Sequence, residues 1–176
     1  RSRVVSADVW QLLRMAFAIP RETLPAVLKR TFRRNGGVLE VVRECCDRMD
    51  SSEPHVRALL PELGRRDRLL AEAARLEGEV PPTPQKTPLY GLLLGVKDTI
   101  AAQGFPTRCG SMVPPEANRL PEEASVVRRL RDAGMILAGK AVTTEFAHVD
   151  PGATANPWNT RHTPGGSSSG SAAAVT

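Results

Sequence analysis

The sequence is poor in aromatic side chains, in cysteine and in long hydrophobic runs. Phenylalanine, tryptophan and tyrosine make up 4% of its 176 residues, so the core must be built mainly from leucine, valine and alanine. Three cysteines do not form a disulfide framework, because one stays unpaired whatever is bridged, and this favours a reducing, cytoplasmic location. The apolar run of residues 15–20 is far too short to cross a bilayer, so we expect no membrane span.

The net charge of +5 raises the question of a nucleic-acid partner. Most basic residues alternate with acidic ones, and a basic cluster without acids occurs only over residues 29–34. A solvated helix face explains this cluster better than a phosphate-binding patch does, and no nucleic-acid module motif accompanies it. We therefore expect no nucleic-acid partner. We also expect no metal and no other cofactor, because His148 and His162 lack a second ligand at metal spacing.

Residues 1–82 are predicted to form an N-terminal helical segment. Three stretches of this segment, residues 9–17, 38–49 and 65–77, carry apolar side chains at helical spacing. The proline-rich residues 81–84 then interrupt the pattern. The helices would pack around the following domain or extend from it as an arm, so a homodimer is one arrangement that they allow.

Residues 83–176 are predicted to form an α/β domain. A short apolar run over residues 89–98 is typical of a buried strand, and residues 135–140 form a second such run. Between them, residues 122–133 have the apolar spacing of an amphipathic helix, whose predicted inner face carries Val126, Val127, Leu130 and Ala133. Strand, helix and strand in this order indicate largely parallel strands in a sheet that helices cover.

Lys97 is a candidate base because it follows a buried apolar run. Burial disfavours an ammonium ion, and a lysine must be neutral before it can accept a proton. The alternative interpretation is that Lys97 pairs with the neighbouring Asp98 or extends to solvent. These residues alone favour the alternative.

The segment of residues 163–175, TPGGSSSGSAAAV, is a second candidate site. Its glycine and serine content is typical of a flexible linker. However, rigid turn formers precede it and small helix-forming residues follow it, with Ser171 as the expected N-cap. The glycine pair Gly165 and Gly166 lets the backbone approach a ligand, and hydroxyl and free N–H groups at a helix start suit an acyl-transfer site.

In order and spacing, these pieces resemble the amidase signature family. The resemblance covers about residues 85–176, and residues 38–80 resemble the helical segment that precedes this fold in such enzymes. The motifs that carry it are GVKD at 95–98, GS at 110–111, LRDAG at 130–134, GK at 139–140, EFA at 145–147, NPWN at 156–159 and GGSSSGSAAAV at 165–175. The resemblance implies an α/β fold with a mixed β-sheet sandwiched by helices. It also implies hydrolysis of a small-molecule amide through a serine acyl-enzyme.

The resemblance further implies a Ser–Ser–Lys catalytic triad. Lys97 matches the lysine base, and Ser167 matches the bridging serine, which typically follows a cis peptide bond and relays a proton between the lysine and the nucleophile. Gly165, Gly166 and Ser168 match the loop that binds the substrate. The nucleophilic serine of the family lies in a later Gly-Gly-Ser motif, past the last residue of this sequence. We therefore expect this chain to be the first part of a truncated core and to be inactive alone.

Two further interpretations stay open. The chain could belong to the amidase subunit of a tRNA-dependent amidotransferase, which releases ammonia from glutamine for a partner subunit. It could also be a non-catalytic remnant that keeps the scaffold for binding a partner. A second Gly-Gly-Ser motif downstream would favour an enzyme, and a stop codon would favour the remnant.

Overall fold

A computed structural model describes residues 24–32, 37–79, 83, 85–114 and 122–176. The elements in these ranges are α1 (Leu24–Thr31), α2 (Gly37–Val56), α3 (Arg65–Gly78), β1 (Leu93–Lys97), α4 (Ser125–Asp132), β2 (Ile136–Ala141), a 3₁₀-helix (Glu145–Ala147) and α5 (Ser169–Ala174). The predicted α/β class is confirmed. The helix predicted over residues 9–17 lies outside the described residues.

Helices α2 and α3 pack together along their apolar faces, as the spacing of their sequences predicted. The buried residues on these faces include Val38, Val42, Cys46, Leu69 and Ala73. The Glu77 carboxylate accepts hydrogen bonds from the N–H groups of Val38 and Leu39, at 2.7 and 3.1 Å, and so satisfies two free donors at the start of α2. Tyr90 and Ile136 belong to the same apolar cluster, so these helices share a core with the sheet region. The boundary at residue 82 stays a prediction.

Strands β1 and β2 are parallel neighbours, as the strand–helix–strand order predicted. Lys97 pairs in register with Ala141, so the carboxyl ends of the two strands meet at one edge. Strand β2 is buried along its whole length. Its backbone also bonds to the segment before α3, because the N–H of Leu60 donates to the carbonyl oxygen of Lys140 at 2.7 Å. Because the carboxyl ends of β1 and β2 meet at one edge, the residues that follow the two strands lie close together.

Helix α4 is shorter than the sequence indicated. It begins at Ser125 rather than at Glu122, and Val126, expected on the inner face, is 50% exposed. The buried residue of this helix is the neighbouring Val127. Successive residues of an α-helix point about 100° apart, so two adjacent valines do not both face the sheet centrally. The prediction that both valines face inward is therefore correct for Val127 and wrong for Val126.

Candidate functional site

The carboxyl end of β1 meets the loop that precedes α5. Lys97 is the last residue of β1, and its Nζ atom is hydrogen-bonded to Oγ of Ser167 at 2.6 Å. Both residues are partly exposed, so the contact lies at the surface of the described chain. The structure thus brings together the two residues for which the sequence suggested catalytic roles.

Asp98 does not form the alternative ion pair with Lys97. Its carboxylate lies 3.1 Å from Nζ of Lys140, a residue of β2, and the two side chains are 0% and 2% exposed. Burial lowers the pKa of the Lys140 ammonium, and the hydrogen bond and charge of Asp98 act against this shift. Lys140 was named only as part of the GK motif, and no role was predicted for it. A signal was present, since Lys140 ends the second buried apolar run as Lys97 ends the first.

Two threonines that follow β2 hold the backbone of Ser167. The carbonyl oxygen of Ser167 accepts hydrogen bonds from Oγ1 of Thr143 and from the N–H of Thr144, both at 3.1 Å. The peptide bond between Gly166 and Ser167 is cis, as the family resemblance implied. A Cβ atom on Gly166 would lie 2.9 Å from Cγ2 of Thr144, so glycine fits here without displacing its neighbour. Neither threonine was predicted to have a role, because that role depends on the position of the loop.

The serine-rich segment continues into α5, which packs on the sheet. The helix begins at Ser169, so its N-cap is Ser168 and the prediction of Ser171 as N-cap is wrong. The Oγ of Ser169 and the N–H of Gly170 both donate to the carbonyl oxygen of Val142, at 3.3 and 2.9 Å. Serine at either position suits an N-cap, and these contacts with the end of β2 determine the actual start.

The loop residues that the sequence assigned to substrate binding lie next to the Lys97–Ser167 contact in the chain. Gly165 and Gly166 are exposed, and Ser168 is partly exposed. Gly165 has a φ of 87°, a left-handed conformation that favours glycine. The Ser168 hydroxyl makes no capping bond to α5. An exposed backbone beside a hydroxyl that does not cap the helix can bind a polar ligand.

The described ranges contain neither a candidate metal cluster nor a helix that could span a membrane. Within these ranges, no cluster of three or more histidine, cysteine, aspartate or glutamate side chains could hold a metal ion. None of the helices described is long and apolar enough to cross a membrane. His148 and His162 contribute backbone carbonyl oxygens to the local fold, which accept hydrogen bonds from Oγ1 of Thr144 and from the N–H of Asn156.

These observations define a class of protein. It is an α/β domain in which a lysine and a serine hydroxyl are in contact at the strand ends. The family model described as Amidase matches residues 40–176. The chain belongs to the amidase family.

Individual relatives agree with this assignment. A glutamyl-tRNA(Gln) amidotransferase subunit from Synechococcus sp. (strain CC9605) is 41% identical over 142 residues, which are 77% of this chain and 28% of that protein. The solved peptide amidase of Stenotrophomonas maltophilia is 31% identical with a TM-score of 0.60, over 78% of this chain and 30% of that one.

A second similar solved structure belongs to a vestigial protein complex that reveals the evolutionary origins of an s-triazine catabolic enzyme. It is 28% identical with a TM-score of 0.71, over 86% of this chain and 34% of that one. The present chain therefore spans 28% to 34% of the length of these three relatives.

Proposed function

We propose that the full-length protein hydrolyses a carbon–nitrogen amide bond through a serine acyl-enzyme. The observation that carries this proposal is the 2.6 Å contact between Nζ of Lys97 and Oγ of Ser167 in a chain of the amidase family. A serine hydroxyl that attacks an amide carbonyl must lose its proton, and the leaving amine must gain one. A neutral lysine in contact with a second hydroxyl can serve both steps.

In this mechanism Lys97 is the base and Ser167 is the relay. Ser167 takes the proton of the nucleophile while its own proton passes to Nζ of Lys97, and the reverse transfer delivers a proton to the leaving amine. Thr143 and Thr144 hold the backbone of the relay, so its hydroxyl stays in reach of the lysine.

The nucleophile, in this proposal, is a serine in a segment past residue 176. In the described ranges, the hydrogen bond of Lys97 Nζ joins it to Ser167, and no second serine hydroxyl bonds to either residue. The relatives are about three times as long as this chain, which leaves room for a further catalytic segment. The present chain alone would then be inactive.

We propose a small-molecule amide as the substrate. Gly165, Gly166 and Ser168 are assigned to its binding, because they combine exposed backbone with a hydroxyl that makes no helix-capping bond. We also propose a cytoplasmic location. All three cysteines are free thiols, which suits a reducing compartment.

A second candidate function is favoured by one observation. The chain is 41% identical to a subunit of a glutamyl-tRNA(Gln) amidotransferase. In that role the full-length protein would release ammonia from glutamine for a partner subunit. A non-catalytic scaffold, the third interpretation, would not require the Lys97–Ser167 contact.

An ammonia-release assay tests these proposals. The full-length protein is given glutamine, peptide amides, aliphatic amides and aryl amides in turn, with Lys97→Ala as the matched control. We expect release from at least one class, well above the variant. The amidotransferase role predicts that glutamine is the substrate and that added partner subunits raise the rate. Equal release by the wild type and Lys97→Ala with every amide would refute the amidase proposal.

A further inference from the structure

A buried ion pair lies next to the Lys97–Ser167 contact in the chain. The Oδ1 atom of Asp98 and Nζ of Lys140 are 3.1 Å apart, and the two side chains are 0% and 2% exposed. Removing two charges from water can cost more free energy than their mutual attraction returns, unless further hydrogen bonds satisfy the remaining polar atoms. The other hydrogen-bond partners of the two side chains therefore identify the segments that the pair fixes in position.

Within the described ranges, the other hydrogen bonds of the two side chains go to one loop, residues 106–110. The loop groups are the Pro106 carbonyl oxygen at 3.3 Å, the Thr107 hydroxyl at 3.0 Å, the Arg108 N–H at 3.2 Å and the Gly110 N–H at 3.3 Å. The ammonium of Lys140 donates to the first two, and the carboxylate of Asp98 accepts from the last two. The backbone carbonyl of Asp98 also accepts the N–H of Cys109 at 3.1 Å. The pair thus fixes this loop to the ends of β1 and β2.

The same loop packs tightly on the segment that holds Ser167. The N–H of Phe146 donates to the carbonyl oxygen of Cys109 at 2.7 Å. A Cβ atom on Gly110 would lie only 2.7 Å from the carbonyl oxygen of Thr143, so the two backbones are in close contact. Thr143 is one of the residues that bond to the Ser167 carbonyl. A displacement of the loop would therefore reach Ser167 through Thr143.

The pair is also continuous with the backbone of Lys97. Asp98 follows Lys97 directly, and its N–H donates to the carbonyl oxygen of Ala141 at 3.0 Å. Anchoring Asp98 therefore anchors the end of β1, where the side chain of Lys97 begins. One buried pair supports both partners of the catalytic contact, Lys97 through the chain and Ser167 through the loop.

We propose that Asp98 and Lys140 are positioning residues that fix the distance between Lys97 and Ser167. This inference rests on the proposed amidase function. Neither residue hydrogen-bonds to Ser167, so both act through their neighbours. A carboxylate suits this role because its two oxygens can accept several N–H donors at once.

Three variants of the full-length protein test the proposal. Asp98→Asn keeps the shape of the side chain and removes its charge, and Lys140→Met removes the other charge at similar length. We expect each to lower kcat by about ten- to a hundred-fold, with KM changed by less than about two-fold, because the substrate still binds while the proton relay is misplaced. The double variant Asp98→Asn/Lys140→Met leaves no unpaired buried charge, so we expect it to fold even where a single variant does not. Its loss should not exceed that of the worse single variant, because both residues support one contact.

The control variant is Arg66→Met, which breaks exposed ion pairs with Asp47 and Asp50 and should keep the wild-type kcat. A readout that needs no activity is the crystal structure of the folded double variant. We expect the distance from Nζ of Lys97 to Oγ of Ser167 to exceed about 3.5 Å there, beyond hydrogen-bonding range.

The possible failures are distinguishable. If the wild type hydrolyses amides and the folded double variant keeps its kcat, the positioning role is overturned while the amidase proposal stands. If the wild type releases no ammonia from any amide, the amidase proposal fails, and the crystal structure alone decides the positioning role. An unchanged 2.6 Å contact in that structure would overturn it.

Discussion

Lys97 and Ser167 are hydrogen-bonded at 2.6 Å across 70 positions of the sequence. Each is held by its own backbone anchors, Lys97 by strand β1 and Ser167 by the threonines that follow β2. The contact therefore depends on the fold, while its chemistry depends on two side-chain groups. Substitutions of those groups test the chemistry with little effect on the backbone.

Replacing Lys97 tests whether a neutral amine is needed. Lys97→Ala should lower kcat of the full-length protein by at least about a hundred-fold, because the base is removed. Lys97→Arg should be as inactive, since a guanidinium stays protonated and cannot accept the serine proton. Steady-state kinetics on folded protein measures both. If Lys97 serves only as a cation, arginine preserves activity, so wild-type turnover by Lys97→Arg would rule out its role as base.

Replacing Ser167 tests the relay. Ser167→Ala should lower kcat by about a hundred-fold or more and leave KM little changed, because proton transfer is lost while the substrate pocket stays intact. Separate measurement of kcat and KM checks this. Ser171→Ala is the matched control, since Ser171 lies inside α5 and should tolerate the change. Equal effects of the two substitutions would contradict the relay.

Gly170 tests how tightly α5 packs on the sheet. A Cβ atom there would lie 2.1 Å from the carbonyl oxygen of Ala58 and 2.4 Å from the backbone nitrogen of Val142. Gly170→Ala should therefore lower the free energy of unfolding by about 1–3 kcal/mol or more, as overpacking does. The control is Gly78→Ala at the end of α3, where a Cβ meets no atom within 4 Å. Urea denaturation that shows the same stability for both variants would contradict the packing described.

The ion pairs of Glu62 predict that the free energy of unfolding depends on pH. Burial raises the pKa of this carboxyl, but the hydrogen bonds and charges of Arg68 and Arg65 outweigh burial and bring it below the ordinary value of 4.5. The Glu62 carboxyl then binds its proton more tightly in the unfolded chain than in the folded one. Glu62 therefore contributes to the free energy of unfolding at pH values above its unfolded pKa. This contribution is lost as the pH falls through the lower folded pKa.

Glu62→Gln should accordingly lower the free energy of unfolding near neutral pH and flatten its decline in acid. Urea denaturation at several pH values between roughly 3 and 7 measures the slope. Glu40→Gln, which changes an exposed partner of Arg30, should leave the slope close to that of the wild type. A wild-type acid slope in Glu62→Gln would show that its ion pairs do not contribute.

The elements of the fold were predictable where an apolar pattern has one interpretation. The two buried runs and the helix between them indicated parallel strands, and the spacing of α2 and α3 located their buried faces. The pattern was insufficient where two equivalent residues compete. Val126 and Val127 are equally apolar, so both were predicted on the inner face, but only Val127 is buried. Ser168 and Ser171 are equally good N-caps, and packing against the sheet decided between them.

The candidate site was predictable in part. Lys97 and Ser167 were recognised because motifs around them resemble a family, and the structure places them in contact. The pairing of Asp98 with Lys140 was not predicted, because it depends on the alignment of the two strands and on the loop of residues 106–110. In the sequence, the cation adjacent to Asp98 is Lys97, so the ion pair that was considered joined these two residues.

The most direct test of the central claim identifies the serine that becomes acylated. The full-length protein is treated with a fluorophosphonate that labels activated serines, and the modified peptide is identified by mass spectrometry. If Lys97 and Ser167 activate a nucleophile supplied by a later segment, the label lies on a serine past residue 176, and Lys97→Ala abolishes labelling. A label on Ser167 itself, or undiminished labelling of Lys97→Ala, would contradict that claim.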